Sequence, residues 1–105
     1  MMTNAQYLLG KLAEEASELA QIAIKAQQFG LGETQCGQGD DFPTNAKRIE
    51  AEFNDVLGVI DMLNEEAFAG IDEDPAKIQT KKMKVAKWRK YAAELGQVTL
   101  DGTKY

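Results

Sequence analysis

The sequence predicts an all-α protein, a helical bundle that is completed by oligomerisation. Apolar residues recur at helical spacing in three segments, and capping and terminating residues bound each segment. No segment shows the convincing alternation of a strand. A chain of 105 residues, 44 % of them hydrophobic, is expected to form one domain over 1–105. Because a monomer of this size buries only about 60–70 % of its unfolded surface, assembly is a natural way to add core.

The first helix is predicted over about 4–29. Thr3 and Gln6 have the spacing of a capping box, in which each side chain satisfies a backbone amide of the other residue. Gly30 suits the left-handed position that ends a helix. The glycine-rich stretch 30–43 that follows predicts a surface loop.

The second helix is predicted over about 45–69. Its N-cap is either Thr44 or Asn45, and Gly70 is expected to end it.

The third helix is predicted over about 75–95, with a break near Thr80 left open. Asp74 and Pro75 form the pair of N-cap and first helical residue that favours a helix start.

Composition excludes several classes of function. A net charge of −5 disfavours nucleic acid and anionic membrane as partners, and no apolar run has the length of a transmembrane helix. The single cysteine, Cys36, cannot form an intrachain disulfide, which predicts a cytoplasmic location. With no histidine in the chain, a structural zinc site and a histidine-containing di-iron site are both excluded. Any metal ion must therefore be held by oxygen.

Acidic residues interrupt the apolar stripes of the first two helices. At 100° per residue, Glu15 falls inside the stripe of the first helix and Glu18 falls on its border. In the second helix Glu52 falls inside the stripe and Asp55 at its edge. If the two stripes pack together, four carboxylates converge in a partly dry space.

Converging carboxylates must be protonated, paired with bases, or bound to a cation. Lys11 and Lys25 can each pair with one acid, which is too little to neutralise the group. Magnesium prefers oxygen ligands and combines a few carboxylates with water and substrate phosphate. The pattern therefore predicts a magnesium site, with Mn²⁺ as an alternative ion.

The motifs Glu14-Glu15-x-x-Glu18 and Glu52-x-x-Asp55 resemble the signature of the MazG-like, all-α nucleoside triphosphate pyrophosphohydrolases. The resemblance extends through the exit of the first helix and the second helix to the basic segment 84–91. It implies a dimer or tetramer that binds magnesium through Glu15, Glu18, Glu52 and Asp55. It also implies hydrolysis of a nucleoside triphosphate to the monophosphate and pyrophosphate. The 30–43 loop makes the gap between the two motifs longer than in many members of the family.

This resemblance assigns roles to further residues. Besides Glu15, Glu14 is a candidate catalytic residue, because it can orient or deprotonate the attacking water if it is not a ligand. Lys25, Lys84 and Lys87 are candidates to bind substrate phosphates, although a solvated basic face explains the last two equally well.

Base recognition is less defined by the sequence. Three aromatic residues can stack on a base or pack in the core: Phe29, Trp88 and Tyr91. Asn54 can hydrogen-bond a base or face solvent. The alternative function is a non-catalytic dimerisation or adaptor module with the same fold. Such a module would gain stability by replacing Glu15 and Glu52 with apolar residues.

Overall fold

The computed structural model of the protein describes residues 1–35 and 38–99. Three helices account for its regular structure: α1 spans Asn4–Phe29, α2 spans Asn45–Ala67 and α3 spans Pro75–Glu94. Within the described ranges the extended pairing is limited to an isolated bridge between Thr34 and Thr44. The all-α prediction is therefore confirmed. Cys36 lies outside the described residues.

Side-chain caps begin the helices where the sequence predicts them. The Thr3 hydroxyl accepts from the Gln6 amide at 3.1 Å, and the Gln6 side chain accepts from the Thr3 amide at 2.9 Å. Thr44, rather than Asn45, caps α2 and accepts from the Lys47 amide at 3.2 Å. Each such bond satisfies an amide that has no partner inside its helix.

Helices α1 and α2 form an antiparallel hairpin. At one end, the Asn45 side chain donates to the Gly30 carbonyl at 2.9 Å. At the other end, the Asn4 side chain donates to Glu66 at 3.1 Å. The end of α1 thus meets the start of α2, and the start of α1 meets the end of α2. The acidic residues lie between these two contacts, away from both ends of the hairpin.

The end of α2 differs from the prediction. The helix stops at Ala67, and Phe68 (φ 54°) takes the left-handed position that ends it. Gly70 also has a positive φ, 65°, but it lies beyond the end of the helix. The amide of Phe68 donates to the Leu63 carbonyl, which closes the helix. Asn64 then bonds both backbone groups of Ile71 at 2.8 Å, so the chain folds back before a further helical turn can form.

The core of the hairpin lies along the apolar stripes of α1 and α2. The buried apolar residues are Leu8, Ile22, Ala26 and Leu63. Phe29, for which packing in the core and stacking on a base were both left open, is 66 % exposed and does not contribute to this core. Phe29 is the last residue of α1, and the chain turns away at Gly30 (φ 101°).

The chain divides into two compact units, of which the first comprises Met1–Ile71 and the second begins at Asp72. The second unit contains α3, which is capped by Asp74 and starts at Pro75 as predicted. This helix is continuous through Thr80, whose hydroxyl donates to the Ala76 carbonyl at 3.0 Å. In the described part of the chain, no helix is long and apolar enough to cross a membrane.

Candidate functional site

Three of the predicted acidic residues converge where α1 faces α2. Glu15 and Glu18 lie one turn apart on α1, and Glu52 reaches them from α2. One carboxylate oxygen from each lies within 4.8 Å of the other two. Glu15 and Glu52 are half-buried and Glu18 is exposed, so the cluster opens to solvent on one side. We call these three residues the acidic cluster.

Two oxygens of the acidic cluster lack hydrogen-bond partners. Glu15 Oε2 and Glu52 Oε2 are both buried and have no partner among the described residues. An ionised carboxylate can only accept hydrogen bonds, so two ionised acids cannot satisfy each other. Either a proton or a cation would supply the missing interaction.

The cluster raises the pKa of Glu52 from 4.5 to about 7. The largest cause is a hydrogen bond with Glu15 that exists only when a proton is shared, and the second is burial. A similar interaction with Glu18, and the negative charges of both neighbours, raise the pKa further. Near neutral pH the cluster therefore holds a proton that a divalent cation could displace.

The remaining predicted acids lie outside the cluster. Asp55 is exposed, one turn beyond Glu52, and its carboxylate is not among the oxygens that approach within 4.8 Å. Glu14 is exposed and forms an ion pair with Lys11, with 3.0 Å between Nζ and Oε2. The hydrogen bond to Glu14 raises the pKa of Lys11 above its usual value.

The predicted basic residues occupy different parts of the structure. Lys25 lines a cleft at the loop end of the hairpin. Lys84 and Lys87 are exposed on α3, in the second unit, and the Lys87 ammonium lies 5.4 Å from the centre of the Trp88 ring. Trp88 in turn packs edge-to-face against Tyr91, with 6.0 Å between the ring centres.

The cleft also contains residues that the sequence analysis did not select. It has a volume of about 330 Å³ and is lined by Lys25, Phe29, Glu33, Thr34, Gln35, Asn45 and Arg48. The spacing of four residues between Arg48 and Glu52 was a usable signal, because residues four apart share a helix face. The contribution of the loop residues had no comparable signal. Asn54, for which a contact with a base and a position facing solvent were both left open, is exposed and donates to the Glu50 carbonyl at 2.9 Å.

Comparison of the chain with protein-family models, with curated proteins and with solved structures finds no significant match. Functional inference therefore depends on the geometry of the hairpin and on the motifs in the sequence.

Proposed function

We propose that the protein is a magnesium-dependent nucleoside triphosphate pyrophosphohydrolase that acts at the acidic cluster. The observation that carries the proposal is the convergence of Glu15, Glu18 and Glu52 from two helices, with two buried oxygens left without partners. Acidic residues on a surface do not by themselves indicate a metal ion. Here, however, two of the acids occupy positions that would otherwise be filled by core residues.

The donor set fits magnesium. Carboxylate oxygens are the ligands this ion prefers, and the exposed side of the cluster leaves room for water and phosphate oxygens. Glu15, Glu18 and Glu52 would hold the ion, and Asp55 would complete the set by a change of side-chain rotamer. Mn²⁺ has the same preference for oxygen and should substitute. When bound, the metal would neutralise phosphate charge and lower the pKa of an attacking water.

The chain itself would position the water and the phosphates. Glu14 precedes Glu15 in the matched motif and remains the candidate to orient or deprotonate the water, a role that would require its carboxylate to leave the ion pair with Lys11. Lys25 is the candidate phosphate contact within the first unit. Lys84 and Lys87, which lie on α3 in the second unit, remain proposed phosphate-binding residues.

We also propose that the active form is a homodimer or homotetramer. Large apolar side chains on both helices of the hairpin are exposed, among them Leu9, Ile24, Phe53 and Met62. Burial of such side chains against a second copy would contribute core that the hairpin lacks.

The test is a product assay with a panel of ribo- and deoxyribonucleoside triphosphates. We expect pyrophosphate and the nucleoside monophosphate in equal amounts with Mg²⁺ or Mn²⁺, and none with EDTA. Glu15→Gln should reduce the rate by at least about a hundredfold, by analogy with the loss of other electrostatic contacts to a reacting centre. Glu50→Gln, which removes an exposed acid paired with Lys47, is the matched control and should retain activity.

Release of orthophosphate instead of pyrophosphate would contradict the proposed reaction. Full activity of Glu15→Gln would remove the acidic cluster from the mechanism. Absence of turnover for every triphosphate, in a folded protein with magnesium, would favour the non-catalytic alternative.

A further inference from the structure

Hydrogen bonds of buried residues form the cleft at the loop end of the hairpin. Asn45 is buried, its amide donates to the Glu33 carbonyl at 2.7 Å, and its side chain donates to the Gly30 carbonyl at 2.9 Å. Thr34 is also buried, and its backbone amide donates to the Glu33 carboxylate at 2.9 Å. These bonds attach the loop to the start of α2 and hold the lining residues in place.

The charges in the cleft favour an anion. Lys25 and Arg48 both line it, and within residues 1–35 and 38–99 neither forms an ion pair. Arg48 Nη1 donates to the Asn45 side-chain oxygen at 3.3 Å, which orients the guanidinium without neutralising it. Among the described residues that line the cleft, Glu33 is the single acid, and its carboxylate already accepts from Thr34. Two cations thus face one carboxylate, and a guanidinium is well shaped to bind phosphate oxygens.

The cleft also offers an aromatic surface. Phe29 lines it and is 66 % exposed, although the side chain is large and apolar. Nucleobases stack on aromatic side chains of this kind, with little dependence on the identity of the base. The volume, about 330 Å³, lies at the lower end of the range of small-molecule sites, about 300–1,000 Å³.

On each helix of the hairpin, one residue of the cleft lies on the same helix face as one residue of the acidic cluster. On α1, Lys25 lies seven residues beyond Glu18, which is two turns along the same helix face. On α2, Arg48 precedes Glu52 by four residues, or about 6 Å along the helix axis. A ligand whose phosphates reach the acidic cluster therefore has the cleft next to it on the loop side of the hairpin.

We infer that this cleft binds the nucleoside monophosphate portion of the substrate. Phe29 stacks on the base, and Arg48 and Lys25 contact the phosphate nearest the sugar. The remaining two phosphates extend toward Glu18 and Glu52. This assignment rests on the proposed function for the direction of the substrate, but binding of the monophosphate itself requires no metal ion and no turnover.

The test is a titration with AMP, CMP, GMP, UMP and dTMP in EDTA, followed by amide NMR shifts and by calorimetry. Ribose 5-phosphate and inorganic phosphate serve as probes that lack a base. We expect the monophosphates to bind more tightly than either probe and to shift the amides of Thr34, Asn45 and Arg48. Equal binding of monophosphates and ribose 5-phosphate would overturn the stacking role of Phe29.

Paired variants separate the cleft from general charge effects. Arg48→Gln should weaken monophosphate binding by about tenfold or more, because a charged hydrogen bond is lost. Lys47→Gln removes the same charge one residue away, outside the cleft, and should change binding little. Phe29→Leu should weaken binding about tenfold, whereas Phe42→Leu, also exposed but outside the lining, should not. Thermal midpoints of all four variants establish that each is folded.

Failure of this inference is distinguishable from failure of the proposed function. If Arg48→Gln and Phe29→Leu bind monophosphates as the unaltered protein does, or if that protein binds none, the cleft is not the nucleoside site. The hydrolysis assay can still succeed in that case. Conversely, specific monophosphate binding in a protein that hydrolyses no triphosphate would support the cleft and contradict the proposed reaction.

Discussion

Glu52 lies on the face of α2 that packs against α1, where an apolar residue is the usual choice. One of its oxygens is buried without a partner, and two further carboxylates lie nearby. These surroundings disfavour the ionised form and raise its pKa to about 7, chiefly through the hydrogen bond with Glu15 and through burial. Glu52 therefore gains or loses its proton near neutral pH.

The raised pKa of Glu52 predicts an unusual dependence of stability on pH. The folded state holds this proton more tightly than the unfolded state, for which the pKa is 4.5. The resulting stabilisation is complete below about pH 4.5 and is lost as the pH rises through about 7. In EDTA, the free energy of unfolding of Glu52→Gln should therefore exceed that of the unaltered protein by more at pH 8 than at pH 5.

Urea unfolding at several pH values, with Glu50→Gln as the control, measures this difference. Glu50 is an exposed acid on the same helix, so its replacement should leave the pH profile unchanged. Parallel profiles for Glu52→Gln and the unaltered protein would show that Glu52 titrates normally.

The helix boundaries illustrate which features the sequence specifies locally. The caps at Thr3, Thr44 and Asp74 depend on hydrogen bonds between residues two or three apart, so each could be read from the sequence. The end of α2 could not, because it depends on Asn64 bonding to Ile71, seven residues away.

The site shows the same division between local and distant determinants. Helical spacing places Glu15 and Glu52 within apolar stripes, and this was enough to predict that they meet. It did not predict that Asp55 stays outside the cluster, since that depends on how α1 and α2 align. The cleft formed by Glu33, Asn45 and Arg48 was missed because it depends on the path of the loop.

Asn45 connects the hairpin loop to both helices and should be sensitive to substitution. In Asn45→Asp the buried donor to the Gly30 carbonyl is replaced by an acceptor, so two acceptors face each other. The expected loss is about 1–3 kcal/mol in the free energy of unfolding, measured by urea denaturation. Asn54→Asp is the matched control: its side-chain bond to the Glu50 carbonyl is exposed, and the loss should be much smaller. Equal losses would mean that the Asn45 contact does not stabilise the loop.

Both helices of the hairpin expose large apolar side chains, including Leu9, Ile24 and Phe53. For the proposed oligomer, light scattering should give at least twice the chain mass of 11.6 kDa. The thermal midpoint should also rise with protein concentration, because association stabilises the folded state by mass action. A mass of one chain and a midpoint independent of concentration would contradict assembly.

Magnesium should stabilise the protein through the acidic cluster, with Asp55 as the further proposed ligand. A ligand at about 100 times its dissociation constant stabilises the folded state by about 2.7 kcal/mol, which raises the midpoint of a domain of this size by about 10 °C. Because a proton on Glu52 competes with the ion, the rise should be larger at pH 8 than at pH 6.

The most direct test is therefore to measure the thermal midpoint at pH 8 with and without Mg²⁺, at constant ionic strength. The proteins compared are the unaltered protein, Glu15→Gln and Glu14→Gln. We expect magnesium to raise the midpoint of the unaltered protein and of Glu14→Gln, and to leave that of Glu15→Gln unchanged. An equal response of all three proteins, or no response in any, would contradict the assignment of the acidic cluster as a magnesium site.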